Sequence, residues 1–317
     1  MKIVPIAIVL ICVSAAFGQK AKEVKISSTA DGSMQPAMMY VPEQASDTPM
    51  PLLVLLHTWS GGYTQKGWID PCVKECSERG WALVHPHFRG PNRTPQACGS
   101  ELAVQDVIDA VEFMKTKTKI DDRRIYLTGT SGGGHMSLLM AGRAPQIWAA
   151  VSAWVPISDI AAWHAQTKAA GRRYFRDIEK SCGGVPGESA EVDAQCVARS
   201  PVTWLAKAVN VPLDINGGIH DGHTGSVPVS HSLHAFNVLA DANDQAANKV
   251  TDDELAFIWS KRKMPQSMSK EAVEDSDRKH AVLFRRSVGQ CRVTVFDGGH
   301  TGEMQPAIRW LAKHVKK

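Results

Sequence analysis

Runs of apolar residues recur along the chain at the spacing of alternating strands and helices. Residues 52–56 are all leucine or valine. A run with no polar member fits a strand covered on both faces, as in a parallel sheet. Residues 81–85 and 124–128 read as further strands. Between them Val104, Val107, Ile108, Val111 and Met114 fall on one helical face, with Ser100 placed to cap that helix. Strands follow at 148–154, 211–216 and 291–296, and a helix over about 303–315 ends the pattern. Ahead of the first core strand, 23–27 and 37–41 read as an antiparallel hairpin. This rhythm predicts an α/β fold, a mostly parallel sheet with helices on both faces.

Two stretches interrupt the alternation. Residues at about 156–205 separate two core strands and are too long for a simple connection. They carry Gly171-Arg172-Arg173-Tyr174 and the pair Cys182 and Cys196, and read as a cap or substrate-recognition insertion. Residues at about 240–280 are polar and charged around a helical 252–259, and read as a second insertion with a solvated surface.

The N-terminus adds a compartment. Lys2 is followed by apolar residues 3–13, too few to span a bilayer, and then by Ala16 and Gly18 at positions −3 and −1 of a small-residue cleavage pattern. Residues 1–18 therefore read as a secretory signal peptide cut near Gly18, leaving 19–317 as the catalytic domain of a secreted or periplasmic protein. No later stretch is apolar for long enough to insert in a membrane. At 44% hydrophobic and 21% charged the chain predicts a packed core rather than disorder. Its net charge of +4 is too mild for a nucleic-acid partner. Beyond the leader six cysteines remain: Cys72, Cys76, Cys98, Cys182, Cys196 and Cys291. An even number in an exported protein predicts disulfide bonds. Cys182 and Cys196 are the natural pair to staple the first insertion, and the other four allow three pairings.

The candidate chemistry centres on Gly129-Thr130-Ser131-Gly132-Gly133, between the strand at 124–128 and an apolar segment of helical length. This is the G-x-S-x-G pattern of a serine on a sharp strand-to-helix turn. A serine needs a base to take its proton, and in a parallel sheet the partners lie in loops after later strands. Asp221 follows the strand at 211–216, and His300 follows the strand at 291–296, in the order Ser, Asp, His. Two rivals stand beside them: Asp159 as the acid, and His223 as the base in the other Gly-His-Thr-Gly copy, 222–225 against 299–302. Asp297 reads as a turn former. The oxyanion donors are expected to be the backbone amides of Gly132 and of a residue after 52–56, Thr58 or Trp59, with Trp59 preferred. His85 and His87 read as structural or pocket histidines. No metal or organic cofactor is required by this chemistry.

Taken together, these residues resemble the α/β-hydrolase superfamily, and within it the prolyl-oligopeptidase-related and dienelactone-hydrolase-like branch. The resemblance is carried by residues 56–61, 80–90 and 121–133, by Asp221 upstream of Val227-Pro228, and by Gly298-Gly299-His300. It implies an α/β-hydrolase fold and serine-dependent hydrolysis of an ester or amide. The chain departs from the pattern at Gly132, where peptidase relatives usually carry an aromatic residue, and in extra residues between Asp221 and Val227. Its nucleophile is serine, whereas dienelactone hydrolases have a cysteine pattern. After the expected leader, only about thirty residues precede its first core strand, against the large N-terminal propeller of the oligopeptidases. The reading is an exported serine esterase acting on a small-molecule or oligosaccharide ester. Trp59, Trp68, Trp154 and Trp163 are expected near the site, where flat rings suit sugars or aromatic acyl groups. The alternatives are a serine peptidase of the prolyl-oligopeptidase branch and a catalytically inactive binding protein on the same scaffold.

Overall fold

The computed structural model describes residues 20–43 and 48–317; the expected leader, 1–18, lies outside them. The chain opens with β1 (Lys22–Ser27), β2 (Met34–Tyr40), β3 (Met50–Leu56), α1 (Lys66–Arg79), β4 (Ala82–Pro86), α2 (Glu101–Lys117) and β5 (Ile120–Thr130). It continues with α3 (Gly132–Arg143), β6 (Ala150–Trp154), α4 (Ile160–Ala169), α5 (Tyr174–Cys182), α6 (Ala190–Arg199), β7 (Leu213–Gly218) and α7 (Ser230–Ala242). Last come α8 (Asp252–Lys261), β8 (Val282–Val288), β9 (Cys291–Phe296) and α9 (Met304–Leu311). The strands form one sheet in the order β1-β2-β4-β3-β5-β6-β7-β9-β8. From β4 to β9 neighbours run parallel; β1, β2 and β8 are antiparallel.

Strand β3 shows why its sequence has no polar member. Leu52, Val54 and Leu56 point to the face covered by α2, α3 and α7, beside Val107, Leu138 and Leu233. Leu53 and Leu55 point to the other face, beside Ile69 of α1 and Ile308 of α9. The period of two along a strand thus feeds two cores at once. Helix α2 is capped as its sequence implies, with Ser100 Oγ accepting the Ala103 N–H at 3.2 Å.

Strand β8 has no counterpart in the sequence reading. Its alternation of Val282 and Phe284 is broken by Arg285 and Arg286, which pair with Asp275 at 2.7 Å and Glu271 at 2.6 Å along the sheet edge. The signal that was available is the two-residue turn Gly289-Gln290 joining β8 to β9, with Gly289 at φ 53°.

The stretch 156–205 folds into α4, α5 and α6 around a small apolar cluster of its own. Ile160, Trp163, Ile178, Val192, Cys182 and Cys196 pack there against Trp59 and Val227. The expected disulfides are not present. All six cysteines are free and buried, Cys182 and Cys196 included. Burial pushes the thiols of Cys72, Cys98 and Cys291 up to about 12, so they stay protonated and act as small apolar fillers. Packing, not a covalent staple, holds α5 against α6.

Four histidines are also sealed into the molecule. Burial lowers His57 and His135 to about 4, and His85 and His231 to about 3, from an ordinary value of 6.5. The unfolded chain therefore binds more protons than the folded one between pH 6.5 and those values. Their contribution to stability is intact above pH 6.5 and is lost as pH falls toward 4. The urea midpoint is expected to fall clearly between about pH 7 and about pH 5.5; equal midpoints at the two would contradict this.

Candidate active site

Ser131 sits on the turn from β5 into α3 at φ 61° and ψ −117°. A non-glycine residue there stores about 1–3 kcal/mol of strain, which the surrounding structure must over-determine. It does so with backbone hydrogen bonds: Ser131 N–H donates to Trp154 O at 2.9 Å, and His135 N–H donates to Ser131 O at 2.8 Å. The flanking glycines are dictated by contact. A Cβ on Gly129 would overlap the backbone of Gly133, and one on Gly133 would overlap Leu56 O.

Ser131, His300 and Asp221 form one hydrogen-bond chain. Ser131 Oγ lies 2.8 Å from His300 Nε2, and His300 Nδ1 lies 2.6 Å from Asp221 Oδ2. Asp221 is 1% exposed. Its other oxygen, Oδ1, accepts the N–H groups of Gly222 at 2.8 Å and Val227 at 3.1 Å. Both oxygens of the carboxylate are therefore engaged, and its orientation is fixed. The two glycine-rich loops touch: a Cβ on Gly218 would overlap Gly299 O, and one on Gly225 would overlap both Asp221 and His300.

The rivals lie elsewhere. Asp159 caps α4, accepting the Ala162 N–H at 3.0 Å. His223 places Nε2 3.0 Å from Trp259 O and stacks on that ring at 4.0 Å. Asp297 meets the exposed His220 at 3.0 Å.

The loop after β3 runs across the start of α3. A Cβ on Gly132 would overlap the backbone of Trp59, so no aromatic side chain fits at 132. Gly132 opens its helix, and its N–H has no intrahelical acceptor. Thr58 N–H is taken by Gln65 Oε1 at 3.1 Å. The Trp59 N–H meets no protein acceptor among the described residues. Two adjacent backbone donors are thus open beside Ser131. Behind them His57 is locked, Nδ1 2.9 Å from Thr58 O and Nε2 2.8 Å from His87 O. His85 Nδ1 lies 2.7 Å from Leu55 O. These histidines brace the loop, and among the described residues no cluster of three or more His, Cys, Asp or Glu could hold a metal.

A model of the prolyl oligopeptidase family, Peptidase_S9, matches residues 75–270, a stretch that includes Ser131 and Asp221. The chain belongs to the prolyl oligopeptidase family. That places it in the α/β-hydrolase superfamily, as the motifs implied. Among curated relatives it is similar to feruloyl esterase B of Talaromyces stipitatus, at 23% identity over 248 residues, 74% of this chain and 62% of that protein. It is also similar to feruloyl esterase B of Talaromyces funiculosus, at 24% identity over 39% of this chain and 36% of that one. The chain thus spans less than two thirds of these relatives. Among solved structures it resembles the acylaminoacyl peptidase of Pyrococcus horikoshii, with TM-score 0.56 and 20% identity over 70% of this chain and 35% of that one. It resembles oligopeptidase B of Leishmania major with TM-score 0.59 and 12% identity, over 92% of this chain and 35% of that one. At these identities the structural likenesses establish the fold.

Within the family fold, this chain's tryptophans do not form the open aromatic platform expected of them. Trp59, Trp154 and Trp163 are all 2% exposed or less. Trp59 and Trp163 cross edge to face at 4.6 Å, Trp59 Nε1–H donates to Asp177 at 3.2 Å, and Trp163 Nε1–H donates to Ser226 O at 2.8 Å. Trp59 and Trp163 tie the α4–α5 insertion to the loop after β3 and to the Asp221 loop. Trp68 packs against the cluster between α1 and α9. The exposed ring near the site is Trp259, at 41%, in the second insertion.

Sequence reasoning also passed over Ser226, whose Oγ lies 3.4 Å from His300 Nε2. Ser226 and Gly222 line a cavity of about 470 Å³, with Thr167, Ala170, Arg172, Pro228 and Trp259 among its other walls. No motif marks these residues; only the fold brings both insertions to the same side of His300.

Proposed function

We propose that this serine hydrolase cleaves carboxylic esters by acyl transfer through Ser131, His300 and Asp221. The observation that carries the reading is the unbroken chain of hydrogen bonds at 2.8 and 2.6 Å. In the first step Ser131 Oγ attacks the ester carbonyl carbon while its proton passes to His300 Nε2. The charge on the carbonyl oxygen is received by the N–H groups of Trp59 and Gly132. Asp221 holds the imidazole in the tautomer that accepts at Nε2 and stabilises the imidazolium that forms. Collapse breaks the bond to the alcohol oxygen, which leaves with the proton from His300. Water then repeats the sequence on the acyl-enzyme and returns the acid and free Ser131.

Esters are preferred over amides because both curated relatives bear the name feruloyl esterase B. Acyl esters of carbohydrates are the proposed natural class. The test is a panel of methyl ferulate, acetylated xylo-oligosaccharides and aminoacyl 4-nitroanilides. Ester kcat/KM is expected to exceed amide kcat/KM by about 100-fold or more. Amides cleaved faster than every ester would overturn the reading in favour of a peptidase.

Export is part of the same proposal and rests on the residue pattern of 3–18. Expression with that segment is expected to yield an exported protein beginning at Gln19, read by N-terminal mass analysis. An uncleaved product retained in the cell would contradict it. Among the described residues no helix is long and apolar enough to cross a membrane.

A further inference from the structure

The cavity beside His300 is apolar for most of its wall, and no aspartate or glutamate lines it. It holds one charged side chain, Arg172, in the turn after α4. The guanidinium makes a single hydrogen bond, Nη2–H to His223 O at 3.3 Å, and pairs with no carboxylate among the described residues. Lys168, Arg173, Arg176 and Lys180 lie in the same insertion, whose segment 160–183 contains only two acids. Both are engaged elsewhere: Asp177 with Trp59 Nε1 and Glu179 with His164 Nε2 at 2.9 Å. Five cations against two carboxylates leave the segment 160–183 with a net positive charge.

A half-buried guanidinium facing an apolar cavity keeps four or more N–H donors for a ligand, and its planar fork matches a carboxylate. Position connects this cation to the reaction. Gly222 of the cavity adjoins Asp221, and Ser226 of the cavity reaches His300 Nε2. A group lodged there is separated from His300 by the Ser226 side chain alone. Trp259 supplies a flat apolar wall, held by its stack with His223. The cavity thus offers an apolar slot with a positive charge, behind the loop that carries Asp221 and Ser226.

We propose that the site selects esters bearing a second, negatively charged group, with Arg172 binding a carboxylate on the acid or alcohol arm and Trp259 covering the apolar part between. This rests on the ester-hydrolase reading above. Two matched series test it with the full chain. On the acid arm, 4-nitrophenyl hemisuccinate and hemiadipate are compared with 4-nitrophenyl butyrate and hexanoate. On the alcohol arm, 4-carboxyphenyl acetate is compared with phenyl acetate. The charged-to-neutral ratio of kcat/KM is expected to exceed one in the series that reaches Arg172, and to decline as salt is raised from about 0.01 to about 1 M. In Arg172→Gln that ratio is expected to fall about tenfold or more, mainly through KM, and Arg172→Lys is expected to recover part of it. A ratio below one in both series, or one that Arg172→Gln leaves unchanged, overturns the proposal while leaving ester hydrolysis standing. If the wild-type protein cleaves neither charged nor neutral esters, both readings fall.

Discussion

Ser131→Ala is expected to lower kcat on any ester the wild-type protein cleaves by roughly 10⁴- to 10⁶-fold. In the proposed mechanism this hydroxyl forms the acyl bond, and among the described residues no other hydroxyl lies as close to His300 Nε2. Ser226 Oγ also approaches His300 Nε2, but at 3.4 Å against 2.8 Å for Ser131. Ser226 follows the Asp221 loop rather than opening a helix beside the two free amides. What remains in the variant is the contribution of Trp59 and Gly132 N–H groups to polarising the carbonyl. The fold should be untouched. Alanine at φ 61° bears the same strain as serine, and Ser131's backbone bonds to Trp154 and His135 do not involve its side chain. Circular dichroism and the thermal midpoint should match the wild type, and retention of more than about one tenth of kcat would refute the assignment.

Asp221→Asn is expected to cost about 10⁴-fold in kcat, and Asp159→Asn close to nothing. The asparagine at 221 can still accept the Gly222 and Val227 N–H groups through one oxygen, so the loop should hold. Its amide nitrogen, however, would face His300 Nδ1 where the carboxylate oxygen now sits at 2.6 Å. Two donors cannot share that contact. The imidazole is then driven to the tautomer with its proton on Nε2, which cannot take the proton of Ser131. At 159 asparagine caps a helix as well as aspartate does, and the Ala162 N–H keeps its acceptor. The comparison is made on kcat at saturating ester; a large loss at 159 with little at 221 would show that the acid comes from the earlier strand.

Much of this was legible in the residues because it depends on backbone geometry that few side chains permit. Gly129, Gly133, Gly218 and Gly225 stand where a Cβ would strike backbone or the side chains of Asp221 and His300. Such constraints leave glycine patterns around a serine, an aspartate and a histidine. The strands buried on both faces were visible for a related reason: Leu52 to Leu56 must satisfy two cores. What escaped the sequence depends on three-dimensional neighbours. Strand β8 is an edge strand whose arginines pair with Asp275 and Glu271 of the segment just before it, so its pattern is half polar. The tryptophans gave positions but not burial: Trp59, Trp154 and Trp163 are sealed in, and Trp59 and Trp163 act as struts. Cysteine parity described numbers and not distances, and the thiols of Cys182 and Cys196 meet as neighbours without a bond. Arg172, Ser226 and Trp259 come from three separate stretches and share a cavity only after folding.

The most direct measurement is the mass of the protein after reaction with a fluorophosphonate, with the adduct mapped by peptide sequencing. One adduct per chain is expected, on Ser131, forming in the wild type and in Asp159→Asn and abolished or strongly slowed in His300→Ala. An adduct on another residue, or no adduct on the folded wild-type protein, would contradict it.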